Sequence, residues 1–153
     1  MNLIWRYFLE SELMKDEWLT KLEATTLTSQ MLTHARLKHL AKIAQTSEDH
    51  VSRIGMGLSL RMGAVPEDWQ PYELGSDDAP ISVVSGKSIR GKTLFKSDLT
   101  LFCALTLHHQ VPENYDGWRK TLGGHWERGV QLLTQQAAGE SDWLRIISKL
   151  PLD

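Results

Sequence analysis

The chain has little cysteine, no surplus of positive charge and no long apolar run, and each shortage excludes a class of protein. Cys103 is the single cysteine among 153 residues, which excludes an internal disulfide and is typical of a reducing cytosol. The 17 Lys and Arg residues face 19 Asp and Glu, so the net charge of −2 gives no overall basic field for nucleic acid. The longest uncharged apolar stretch, 99–107, is far shorter than the roughly 20 residues that span a bilayer. With acids at Glu10 and Glu12 the N-terminus is also a poor signal peptide, so we expect a cytoplasmic protein without a membrane segment.

Helical periodicity accounts for most of the sequence and predicts a mainly α fold with about five or six helices and little strand. The length fits one domain, which we place at 21–153, preceded by an N-terminal extension at 1–20. Apolar residues at positions 5, 8, 9 and 13 of the extension share one helical face. The extension is therefore predicted to pack on the domain or to dock on a partner.

The domain is predicted to open with a short strand and two helices. Residues 22–27 are rich in threonine and favour a strand. A helix at about 30–45, capped by Thr28 or Ser29, should bury its leucines and alanines and leave Arg36 mostly on another face. Ser47 or Thr46 should cap the next helix, in which Gly55 and Gly57 suggest a close helix–helix approach.

This order is that of a ribbon-helix-helix unit, whose strands pair across a dimer and can lie in the major groove of DNA. A sequence-specific transcriptional regulator acting through Thr25 and its strand neighbours is therefore one functional hypothesis. Such a unit would need a second chain to complete its sheet. Six tryptophans indicate either an interface between subunits or a large aromatic core.

The charge of the chain reverses sign near its middle. An acidic, proline-interrupted linker is predicted at 64–80, and the stretch 81–96 then carries four cations and no acid: Lys87, Arg90, Lys92 and Lys96. Cations of this kind bind DNA phosphates without reading sequence. The alternatives are that they pair with the acidic linker of their own chain or with the acidic surface of a protein partner.

The same stretch contains Gly86–Thr93, which fits the phosphate-binding pattern G-x-x-x-x-G-K-[ST]. A P-loop needs a parallel α/β sheet and a second apolar strand that ends in an acid, and neither pattern is present. The following helix is also expected to begin late, after Leu94-Phe95-Lys96. We therefore interpret the match as accidental, and a small nucleotide hydrolase is the least favoured hypothesis.

No other residue pattern calls for an enzyme, a metal or a cofactor. Cys103 lies in an apolar helix and should be buried and inert rather than a sulfur relay. His108 and His109 point about 100° apart on a helix, which makes them a poor zinc pair. The later sequence is predicted to hold one helix after Pro112, interrupted at Gly123-Gly124, and a short final helix capped by Ser141.

Several motifs resemble the DNA sulfur modification protein DndE family over about 21–150. They are the stretch 88–95 followed by Asp98-Leu99, the helix pair 37–44 and 51–61, and the Trp118–Gly124 piece. The resemblance implies a mainly helical, self-associating subunit of the machinery that replaces a non-bridging phosphate oxygen of DNA with sulfur.

The chemistry of that machinery would belong to a cysteine desulfurase and other subunits, so the resemblance implies no catalytic residue here. It implies lysine-dependent affinity for DNA, nicked duplex included, and partnership with the other phosphorothioation subunits. The family's basic surface would map onto the four cations of 81–96, with two possible additions: Arg119 and Lys120.

Overall fold

The computed structural model describes residues 17–109 and 112–150, which are mainly helical and include one small antiparallel sheet. Residues 17–24 are helical (α1). The other elements are β1 (Thr26–Thr28), α2 (Met31–Ala44), α3 (Glu48–Arg61), β2 (Ser88–Arg90), α4 (Gly91–Phe95), α5 (Leu99–His109), α6 (Tyr115–Ala137) and α7 (Trp143–Ser148). The predicted mainly α fold is confirmed. Most of the predicted N-terminal extension lies outside the described residues, and its last four positions belong to α1.

Helices α3 and α6 form the centre of the domain because two glycines let their backbones touch. A Cβ atom on Gly129 would lie 2.0 Å from the carbonyl oxygen of Gly55, and one on Gly55 would lie 2.8 Å from the carbonyl carbon of Gly129. The close helix approach predicted at Gly55 is therefore confirmed. Gly57 was predicted to share in it, but apart from its chain neighbours and its own helix backbone no atom of the described residues lies within 4 Å of its Cβ position.

Helix α6 runs without interruption through Gly123-Gly124, where the sequence analysis predicted a break. Each glycine costs a helix about 1 kcal/mol. The buried side chains that flank the pair on the same helix, Trp118, Leu122 and Trp126, gain more than this by packing in the core. Tertiary packing thus overrides the local preference.

Three of the five tryptophans in the part of the chain that the structure describes are buried in the core. Trp18, Trp118 and Trp126 are buried, and the Trp18 ring stacks on Trp118 with 5.2 Å between ring centroids. These three side chains fit the core interpretation rather than the interface one. No helix within 17–109 and 112–150 combines the length and apolar character needed to cross a membrane.

The strand β1 pairs with β2 of its own chain. The register is antiparallel, with Thr26 opposite Arg90 and Leu27 opposite Ile89, and the two apolar side chains of this sheet are buried. The predicted strand at 22–27 is displaced, because Leu22 is helical and fully buried. A second chain is not required to give β1 a partner, contrary to the ribbon-helix-helix hypothesis.

The predictions of the helix caps are confirmed at one helix and wrong at two others. The Ser47 hydroxyl accepts a hydrogen bond from the amide of His50 and caps α3, as predicted. Helix α2 begins instead after Gln30, because Ser29 uses its hydroxyl to accept from the Lys87 amide across the sheet. Asp142, rather than Ser141, caps α7.

The acidic linker is irregular, as predicted, but Arg36 ties it to the helices. The Arg36 side chain is fully buried, and it donates to both carboxylate oxygens of Asp78 at 2.9 Å, to the Tyr72 carbonyl oxygen and to Gln131 Oε1. The prediction that Arg36 lies mostly off the buried face is wrong. Its charge can be buried because the linker folds over it and supplies the counter-ion.

Candidate nucleic-acid interface

The Gly86–Thr93 stretch does not form a phosphate cradle, because protein acceptors already use two of its amides. The Lys87 amide donates to the Ser29 hydroxyl at 2.9 Å, and the Gly91 amide donates to the Thr25 carbonyl oxygen at 3.0 Å. In a P-loop such amides point at phosphate oxygens.

The two glycines of this stretch serve close backbone packing. A Cβ atom at Gly86 would lie 1.8 Å from the Ser29 carbonyl oxygen, and one at Gly91 would lie 2.2 Å from the Leu22 carbonyl oxygen. Helix α4 begins at Gly91, earlier than predicted, because Leu94 and Phe95 of this helix are drawn into the core.

Residues 85–96, which we call the basic segment, alternate between core anchors and exposed cations. Ile89 is buried while the next side chain, Arg90, is exposed. Lys92 and Lys96 are also exposed; Lys92 lies in the first turn of α4, and Lys96 is the residue that follows the end of this helix. These three cations form no ion pair with any other residue in the described part of the chain.

Lys87 differs from the other cations of the basic segment. Its ammonium group lies 3.6 Å from Glu48 Oε1 and 3.9 Å from Asp49 Oδ1, in the first turn of α3. Among the described residues, the carboxylates paired with this lysine belong to α3 and not to the acidic linker. Lys87 therefore enters phosphate binding only if it leaves two carboxylates.

Lys92 and Lys96 line one open cleft of about 430 Å³ together with Leu19, Glu23, Ser97 and Leu99. A further cation on the preceding helix, Lys21, lies 4.4 Å from the centre of the Tyr115 ring. Helix α1 itself reaches the basic segment at Leu22, whose carbonyl oxygen lies against Gly91.

Arg119 and Lys120 lie on α6 and do not extend the basic segment. The Arg119 guanidinium lies 3.7 Å from the Asp116 carboxylate on the same helix. Lys120 lines a different cleft, which also contains Glu67, Glu113 and Glu127. The structure thus keeps Arg90, Lys92 and Lys96 close in one segment, pairs Lys87 and Arg119 with carboxylates, and places Lys120 in a different cleft.

The remaining candidate residues concern thiol reactivity, at Cys103, and metal binding, at the neighbouring histidines. Cys103 is buried, and burial raises the pKa of its thiol to about 12, so the reactive thiolate is suppressed. His108 and His109 have ring centroids 5.3 Å apart. Across 17–109 and 112–150, no group of three or more His, Cys, Asp or Glu side chains is arranged to hold a metal ion.

Comparisons with protein-family models, with curated proteins and with solved structures give no significant match to this chain. The resemblance to the DndE family therefore rests on the sequence motifs alone.

Proposed function

We propose that this protein is a non-catalytic DNA-binding and assembly subunit that contacts DNA phosphates through its basic segment. The observation that carries the proposal is the exposure of Arg90, Lys92 and Lys96 without a carboxylate partner among the described residues. Cations that are already neutralised gain little from a phosphate, whereas these three retain their full charge for an external anion.

The arrangement suits a polyanion better than a single small anion. The three cations lie one after another along the chain, Arg90 at the end of β2, Lys92 in α4 and Lys96 just after that helix. The exposed Thr93 adds a hydroxyl that can donate a hydrogen bond to a phosphate oxygen. Lysine and arginine bind the DNA backbone by displacing condensed counterions, which gives affinity without sequence preference. A chain of net charge −2 would confine such binding to this one side of the molecule.

The salt dependence of DNA affinity tests the proposal. Fluorescence anisotropy with a labelled 20-base-pair duplex is measured between 50 and 200 mM salt for the wild type and for Lys92→Ala/Lys96→Ala. The slope of log K against log salt is negative, and each lost phosphate contact makes it shallower by about 0.9. The slope of the double variant should therefore be shallower than that of the wild type by about 1.8. The matched control is Lys38→Ala/Lys42→Ala, which removes two exposed lysines with the same spacing from α2.

Equal slopes for the two double variants would contradict the assignment of phosphate contacts to the basic segment. Two duplexes of unrelated sequence should bind alike. A footprint confined to one sequence would favour the regulator hypothesis instead. A duplex with a single nick, measured beside the intact one, shows whether nicks are preferred.

The setting that we propose is the DNA phosphorothioation machinery, on the strength of the motifs at 88–95 and 118–124. In that setting the protein works as a homo-oligomer in the cytoplasm and binds other phosphorothioation subunits. Deletion of the gene should then remove phosphorothioate linkages from the host DNA, as measured by mass spectrometry of nuclease digests. Unchanged phosphorothioate content would separate the DNA-binding activity from this pathway.

A further inference from the structure

A second cleft, of about 610 Å³, lies between the acidic linker and the first half of α6. Its linker wall carries Trp69, which is half-buried, and three prolines line the cleft as well: Pro66, Pro71 and Pro112. We call it the acidic cleft because three carboxylates line it, Glu67, Glu113 and Glu127, against one ammonium group, that of Lys120.

The space exists because α6 presents small side chains to the linker. Gly117, Thr121 and Gly124 follow one another at helical spacing along one face and line the cleft. A Cβ atom on Gly124 would lie 3.2 Å from Val65 Cγ1, so the linker begins in direct contact with the helix. The side-chain amide of Gln30 donates to Gln70 Oε1 at 2.6 Å and ties the other end of this linker stretch to the start of α2.

Glu127 is the fixed polar group of the cleft. Its carboxylate accepts hydrogen bonds from the backbone amide of Gln30 at 2.8 Å and from the Thr33 hydroxyl. These two donors, at the start of α2, fix the position of the carboxylate. Each carboxylate oxygen keeps a further lone pair for another donor. Burial raises the pKa of this carboxyl to about 7, and a cationic guest would stabilise the ionised form that burial disfavours.

We propose that the acidic cleft binds a guanidinium or ammonium group carried on a short apolar stem. The negative charge of the three carboxylates exceeds the positive charge of the single lysine, so the lining of the cleft favours a cation over an anion. A planar guanidinium can donate two hydrogen bonds to a carboxylate and stack on an indole ring. The prolines and Trp69 supply apolar contact for the stem. The guest is either a free small amine or the basic side chain of a protein partner.

Titration at pH 8, where Glu127 is ionised, tests the proposal with three probes. These are agmatine, acetyl-Gly-Arg-Gly-amide and the same peptide with citrulline, which keeps the shape of arginine but is neutral. Binding is followed by the indole N–H resonances in ¹H–¹⁵N spectra, with Trp69 assigned from Trp69→Phe. We expect saturable shifts of Trp69 by the guanidinium probes and none by citrulline. Binding of agmatine indicates a small ligand, whereas binding of the arginine peptide alone indicates a protein partner.

Variants locate the guest within the cleft. Glu127→Gln keeps an acceptor for the Gln30 amide but removes the charge, and it should weaken binding by about tenfold or more. Glu73→Gln removes an exposed carboxylate of the same linker that does not line the cleft, and it should bind as the wild type does. If Glu127→Gln fails to fold, the exposed pair Glu67→Gln/Glu113→Gln carries the same test. The proposal is overturned if arginine and citrulline probes bind equally, if neither guanidinium probe binds, or if the cleft variants match Glu73→Gln.

Discussion

Replacing glycine by alanine on α3 and α6 is expected to change stability in opposite directions at different positions. At Gly129 the new Cβ atom would lie 2.0 Å from the carbonyl oxygen and 2.1 Å from the carbonyl carbon of Gly55. Both atoms belong to the backbone of the facing helix and cannot rotate away. The two helices must therefore separate, and the side chains packed around the crossing lose contact.

The size of the effect follows from two opposing contributions. Alanine favours a helix over glycine by about 1 kcal/mol, while overpacking a filled core typically costs 1–3 kcal/mol and occasionally more. Because the clash at Gly129 involves backbone only, we expect a net loss of about 2 kcal/mol or more. At Gly57 and Gly123, apart from the chain neighbours and the helix's own backbone, no atom within 17–109 and 112–150 lies within 4 Å of the Cβ position. The same substitution there should raise the free energy of unfolding by up to about 1 kcal/mol.

Urea unfolding followed by circular dichroism and tryptophan fluorescence measures these differences. The three single variants are compared with the wild type at one pH and one protein concentration. An unchanged slope of the unfolding free energy against urea would show that the denatured state is the same. A Gly129→Ala protein as stable as the wild type would show that α3 and α6 do not cross here. A loss of the same size in Gly57→Ala would show that the glycines matter for a reason other than backbone contact.

Three further predictions concern buried polar groups. Asp78→Asn should lower the free energy of unfolding by about 3–5 kcal/mol because it leaves the buried Arg36 unpaired, whereas the exposed neighbour Asp77→Asn should have little effect. The hydrogen bond from Arg36 lowers the pKa of Asp78 to about 2, so its stabilisation, present above pH 4, should be lost as the pH falls towards 2 in acid unfolding. Burial lowers the pKa of His125 to about 4 and raises that of Glu127 to about 7. The unfolded state therefore binds more protons at His125, and the folded state binds more at Glu127. Between pH 4.5 and 6.5, rising pH should raise the free energy of unfolding through His125 and lower it through Glu127, each by roughly 2 kcal/mol. Glu127→Gln should expose the His125 slope in urea titrations at several pH values, and a profile parallel to the wild type would contradict the offset. Cys103 should resist alkylation by iodoacetamide in the folded protein and react once urea unfolds it, and rapid native labelling followed by mass spectrometry would refute its burial.

The sequence by itself determined the helical character of the protein, the cap at Ser47, the irregular acidic linker and the basic segment. These features depend on local periodicity, capping chemistry and charge, which act between residues near in sequence. The close approach at Gly55 could also be predicted, since a glycine in a helix interior needs a packing reason.

Only the tertiary structure decided where charges are neutralised and where the chain leaves space. The burial of Arg36 depends on a carboxylate 42 positions away. The pairing of Lys87 with Glu48 and Asp49, and the exposure of Arg90, Lys92 and Lys96, depend on how β2 returns to β1. The acidic cleft is formed by two distant segments that meet over the small side chains of α6. Such contacts are set by the packing of the whole core, to which local propensity contributes only a few tenths of a kcal/mol per residue.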